Sequence, residues 1–154
     1  MRTFWIFCHL LGAVMWIGGG FAAMWVSIAG NKLDRSHQGI VARLVAAVYG
    51  RVLAPGAALS FVSGIFLTMT YMGAMNRGDV RGAISPWLMV MPGAGLLGAA
   101  LVLGFALPAV NRLTRIDPIA HAEAFDLYRR RQRVAGMIAT TLALLSLVSA
   151  VAWR

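Results

Sequence analysis

One imidazole stands out by its position. His9 lies two turns into "CHLLGAVMWIGGG", residues 8 to 20, a stretch that otherwise reads as a membrane-spanning helix. Steps of three and four residues from His9 reach Gly12, Trp16, Gly19, Gly20 and Ala23, which therefore share its helical face. That face carries one nitrogen ligand, a flat aromatic and a run of hydrogen side chains. It could accept a planar macrocycle, with neutral imidazole as the axial ligand. His9 is thus a candidate metal ligand, and Gly12, Trp16, Gly19 and Gly20 are candidate pocket residues beside it. A second meaning fits the same letters: His9 hydrogen-bonds a neighbouring helix, and the glycines let that helix come close.

Other chemistry is scarce. His37 and His121 fall in polar segments and do not reach the depth of His9, so a second axial ligand would be Met, water or His9 of another protomer. The chain has nine Met, and thioether suits Cu(I), yet Met69, Met72 and Met75 at the end of an apolar run also suit lipid-facing or packing roles. Cys8 is the only cysteine, which rules out an internal disulfide and any CxxC pattern. "GAGLLG", Gly93 to Gly98, matches a dinucleotide-binding fingerprint letter for letter. That motif needs a strand-to-helix turn, whereas here it lies inside an apolar run, where Gly93, Gly95 and Gly98 are expected to serve helix contact. No acidic residue, Lys or Arg falls in the apolar centre of a span, which argues against a proton-coupled transporter. A Ser-His-acid hydrolase is disfavoured because the carboxylates are confined to loops.

The elements that must position these residues follow from composition. The chain of 154 residues is 60% hydrophobic and 12% charged, with a mean hydropathy of +0.75. Soluble domains carry about 25% charged residues, so an integral membrane protein is expected. Four runs approach the roughly 20 residues that a spanning helix needs: about 4–28, 52–72, 86–110 and 134–153. They account for one membrane domain over residues 1–154, an all-α bundle of four transmembrane helices. Arg2 before an apolar run could open a signal peptide, but about 25 apolar residues exceed the roughly 7–15 of such a segment.

The net charge of +9 does not point to nucleic acid, since no aromatic stacking platform accompanies the basic residues. They follow the loops instead. Lys32, Arg35, Arg43 and Arg51 lie between the first two runs, and Arg112, Arg115, Arg129, Arg130, Arg131 and Arg133 between the last two. The positive-inside rule then puts both termini outside and these loops in the cytoplasm, with anionic lipid headgroups as partners of the basic stretch.

Between the first runs, Gly30 and Asn31 signal a helix end and Ser36 a helix start. Residues 37–51 place Ile40, Val41, Leu44, Val45 and Val48 on one face, which predicts an amphipathic cytoplasmic helix bending into span two near Pro55 and Gly56. One long kinked helix is the alternative. A glycine-rich external loop is expected over 73–85, with Pro86 in the first turn of the next helix. Asp117-Pro118 is expected to start a helix in which Glu123 and Asp126 pair with arginines at helical spacing.

Taken together, "HLLGAVMWIGGG", Pro55 with Ser63-Gly64, Pro108 with Arg112, and the basic Arg131 and Arg133 resemble a group of small bacterial four-span proteins. The group includes the CopD membrane domain and HemJ-type oxidases, and the nearest likeness is to the family called domain of unknown function 2269. The resemblance implies a four-helix bundle in the bacterial inner membrane, associated with haem b or redox chemistry. On that reading His9 would ligate haem in a protein of electron transfer, or in a partner of a larger redox assembly or homo-oligomer. HemJ-type enzymes carry a lysine in a later span, whereas the only lysine here, Lys32, sits in a loop. CopD-type copper import would want histidines in the external loops, which are absent. The rivals are a cofactor-free accessory or assembly subunit and a small-molecule or copper permease.

Overall fold

The computed structural model describes residues 2–76 and 86–152. Among them the chain is helical, with α1 over Arg2–Gly30, α2 over Arg35–Val48 and α3 over Ala54–Asn76, then α4 over Pro86–Leu101, α5 over Leu107–Leu113 and α6 over Ala122–Ala152. A π-helical turn, Tyr49–Leu53, joins α2 to α3, and a second, Val102–Ala106, joins α4 to α5. Four helices are consequently long and apolar enough to cross a membrane.

Both π turns sit where the sequence places a proline. In an ordinary α-helix the ring of Pro55 would strike the carbonyl of Arg51, and that of Pro108 the carbonyl of Gly104. The residue ahead of each proline instead bonds five residues back, Ala54 N–H to the Tyr49 carbonyl and Leu107 N–H to the Val102 carbonyl. The wider turn lets the helix continue through a residue that would otherwise break it. Residues 35–76 therefore form one unbroken helix, the second of the two readings open from sequence. Its first part buries Val41, Ala42 and Val45 and leaves Ile40 and Leu44 exposed.

Several local expectations shift. The helix after the first loop starts at Arg35 with Asp34 at its N-cap, and Ser36 Oγ bonds His37 Nδ1 instead of capping. Asp117 does not open a helix; its Oδ1 accepts the N–H groups of Ile119 and Ala120, making a turn that ends before Ala122. A carboxylate bonded to backbone two and three residues on is satisfied locally and leaves the helix start to the next residues. Residues 73–76 of the glycine-rich loop belong to α3, and residues 77–85 lie outside the described residues. Pro86 does begin α4.

Packing is two plus two: α1 makes its most extensive contact with α3, and α4 with α6. The central core joins Trp16 and Ala23 of α1 to Leu53, Ala57, Val102 and Ala139. At the end of the bundle that carries most of the arginines, Ala42, Leu113 and Phe125 form a second apolar cluster. Phe125 is 1% exposed, which fixes the start of α6 against α2 and α5.

Candidate functional site

The face of α1 anticipated from sequence is its buried face: Gly12, Trp16, Gly19, Ala23, Ser27 and Gly30 are all buried. What fills it is protein. A Cβ at Gly12 would stand 2.5 Å from the Ser60 nitrogen and 2.8 Å from the Gly56 carbonyl oxygen, both backbone atoms of α3. At Gly19 it would lie 3.1 Å from Leu53 Cβ, and at Gly20 it would run into Thr140 Oγ1 of α6. Trp16 presses its six-membered ring on Gly98, where a Cβ would come within 2.8 Å of Cζ2. Gly12, Trp16, Gly19 and Gly20 are thus occupied by helix contacts within the subunit, and no macrocycle fits along them.

α3 answers α1 with small residues at steps of four: Gly56, Ser60 and Gly64. This stripe lets the two backbones meet, as small residues do between spans. Its polar member was not legible as a site residue, because a serine in an apolar run usually bonds its own helix. Ser63 does so, donating to the Leu59 carbonyl at 2.6 Å. The partner of His9 is the Ser60 carbonyl, which no side-chain pattern reveals.

That carbonyl holds His9. Nδ1 lies 2.9 Å from Ser60 O, so Nδ1 carries the hydrogen and donates it, with Ser63 Oγ 3.3 Å from the same nitrogen. A neutral imidazole with its hydrogen on Nδ1 has its lone pair on Nε2. Nε2 has no hydrogen-bond partner among the described residues. The ring also packs over Gly64, where a Cβ would be 3.2 Å from Cε1. One turn earlier, Trp5 stacks on Phe66 of α3 with centroids 4.2 Å apart. Both hydrogen bonds of His9 and its contact with Gly64 therefore come from α3, at the end of the bundle where α1 begins.

Two further placements complete the picture. Trp16 Nε1 is buried and has no hydrogen-bond partner among the described residues. His37 and His121 lie at the opposite end of α1 from His9, His37 in α2 and His121 just before α6, and do not join it. Among the described residues no group of three or more His, Cys, Asp or Glu could hold a metal ion. The glycine fingerprint divides: Gly98 is in tight contact, Gly95 has only Ser146 Oγ at 3.8 Å, and Gly93 faces open space. No protein-family model, curated protein or solved structure matches the chain.

Proposed function

We propose that the chain is a multi-pass protein of the bacterial inner membrane that works as a partner in a redox assembly, with both termini outside and His9 offered as an axial ligand to haem b. The observation that carries this reading is the posture of His9. Its Nδ1–H is anchored on the Ser60 carbonyl at 2.9 Å while Nε2 is left without a partner among the described residues. Histidines that bind metals are held in this way, the second ring nitrogen donating to a carbonyl that fixes tautomer and ring orientation. Haem, when bound, would supply one-electron transfer. The chain's own part is to hold the ring, through Ser60, Ser63 and Gly64, and to keep the hydrogen on Nδ1 so that the lone pair is on Nε2.

Because Gly12, Trp16, Gly19 and Gly20 are filled by neighbouring helices, the group would sit at the end of the bundle or against a partner subunit. A cofactor-free accessory subunit is the second reading, favoured by the same filled interfaces. Absorption spectra of the purified full chain, as isolated and reduced, separate the two. A Soret band that disappears in His9→Ala and persists in His37→Ala and His121→Ala supports ligation. A colourless wild type that takes up no added haem removes the ligand role and leaves the accessory subunit.

A further inference from the structure

The arginines at the other end of the bundle are not spread evenly over it. Asp126, Arg129, Arg130 and Arg133 fall at steps of three and four along α6, so they form one stripe, and with Asn31 they line an open depression. Asn31 follows the last residue of α1, and its Oδ1 accepts from Arg129 Nη2 and, at 3.0 Å, from Arg133 Nη2. Two guanidinium groups are thereby drawn to one neutral oxygen. Arg129 is further held by Gln38 Oε1 at 3.1 Å. The carboxylate in the stripe offsets these charges only in part, because Asp126 Oδ2 is paired with a further cation, Arg35 Nη2, at 2.7 Å, and its pull on Arg129 is smaller than the repulsion from Arg133. Arg130 makes no side-chain hydrogen bond to any described residue. Three cations thus share a rim with a single carboxylate that is itself paired with Arg35, and two of them are fixed in direction by amide oxygens that carry no charge to neutralise them.

We propose that this depression is a phosphate-binding site, formed by Arg129, Arg130 and Arg133 and ordered by Asn31. Guanidinium groups match phosphate oxygens in shape as well as charge. Val134 follows Arg133 directly and the apolar part of α6 starts there, so the site lies at the level of lipid headgroups. An anionic phospholipid and a soluble phosphate are the two sources of that chemistry. A bounded site differs from the diffuse attraction of basic loops to anionic membranes, in which every exposed arginine counts alike.

The test is native mass spectrometry of the full chain in neutral detergent, titrated separately with phosphatidylglycerol, phosphatidylcholine and inorganic phosphate. One retained phosphatidylglycerol is expected, with apparent affinity lowered about tenfold or more in Arg129→Gln/Arg133→Gln. Arg43→Gln/Arg115→Gln removes the same charge from exposed arginines elsewhere and is expected to stay within about twofold. Arg130→Gln breaks no internal hydrogen bond, so its expected loss of affinity of about threefold or more stands clear of misfolding. Retention of inorganic phosphate, lost in the same variants, supports the site with a soluble source. Equal losses in the two double variants, or no retention of either anionic probe by the wild type, overturn it.

Discussion

Gly12 and Gly56 lie backbone against backbone, each standing where the other's side chain would be. A Cβ on Gly12 would be 2.8 Å from the Gly56 carbonyl oxygen, and one on Gly56 would be 3.0 Å from the Gly12 carbonyl oxygen. The closest approach of α1 and α3 therefore excludes even a methyl group. Gly12→Ala should splay the pair and cost about 2 kcal/mol, the middle of the range for overpacking. Gly18 lies six residues on, with nothing within 4 Å of its Cβ position. Gly18→Ala should stabilise α1 by up to about 1 kcal/mol, since alanine is the better helix former. Thermal unfolding in detergent reads both, and equal effects would mean that the contact is not tight.

Gly98 and Gly95 make a second contrast within α4. Gly98→Ala should displace the Trp16 ring and lower the midpoint of unfolding, because Trp16 is 3% exposed and a Cβ on Gly98 would stand 2.8 Å from its Cζ2. Gly95→Ala meets only Ser146 Oγ at ordinary distance and should be neutral or mildly stabilising. Indole fluorescence of Trp16, in a background with the other tryptophans replaced by phenylalanine, would shift in the first variant and not in the second.

Asp117 gives a prediction in pH. The N–H groups of Ile119 and Ala120 hold its carboxyl below the usual range, with His121 adding a smaller pull the same way. A depressed folded value means that the carboxylate contributes fully above its unfolded pKa and loses that contribution as pH falls through the folded one. Amide exchange at Ile119 and Ala120 should accelerate on acidification, beyond the intrinsic pH dependence, in the wild type. Asp117→Asn, whose side-chain oxygen accepts at any pH, should remove that extra dependence while keeping most of the protection. A wild type without such a transition would show that the turn does not depend on the charge.

Orientation is open to direct measurement. Ten of the fourteen basic residues lie within the segments 29–51 and 111–133. Reporter fusions after residues 33 and 120 should behave as cytoplasmic, and one after residue 79 as external. External labelling of a cysteine placed at His121 would reverse the orientation, moving the arginine stripe outside and His9 to the cytoplasmic side.

Much of α1 was legible in its letters. The period of 3.6 residues groups Gly12, Trp16, Gly19 and Ala23 on one face, and all four are buried. Which neighbour fills a glycine is a different matter, because a missing side chain leaves equal room for a flat ring or for another backbone. Only the three-dimensional neighbour, Ser60 or Leu53 or Thr140, decides. The π turns were missed for a related reason. Tyr49, Leu53 and Ala57, and again Val102, Ala106 and Val110, enter the core at steps of four, which drift by about 40° per step around an ordinary α-helix. Such a run beside a proline was the available sign of a wider turn. Asp126 shows the limit of local pairing rules, since its partner Arg35 is 91 residues away while Arg130, four residues on, leaves it alone.

The unbroken helix from Arg35 to Asn76 contains 42 residues, which makes it about 63 Å long, twice the roughly 30 Å of a hydrocarbon core. Half of it must therefore project past the apolar layer or lean steeply within it. Its Arg35 end is tied to the start of α6 by the Arg35–Asp126 pair and by Val41, Ala42 and Val45, which are buried beside Phe125. No loop separates the Arg35 end from the part that carries Ser60, because the chain stays helical through the π turn at Tyr49–Leu53. One continuous helix thus carries both the partner of Asp126 and the carbonyl that holds His9.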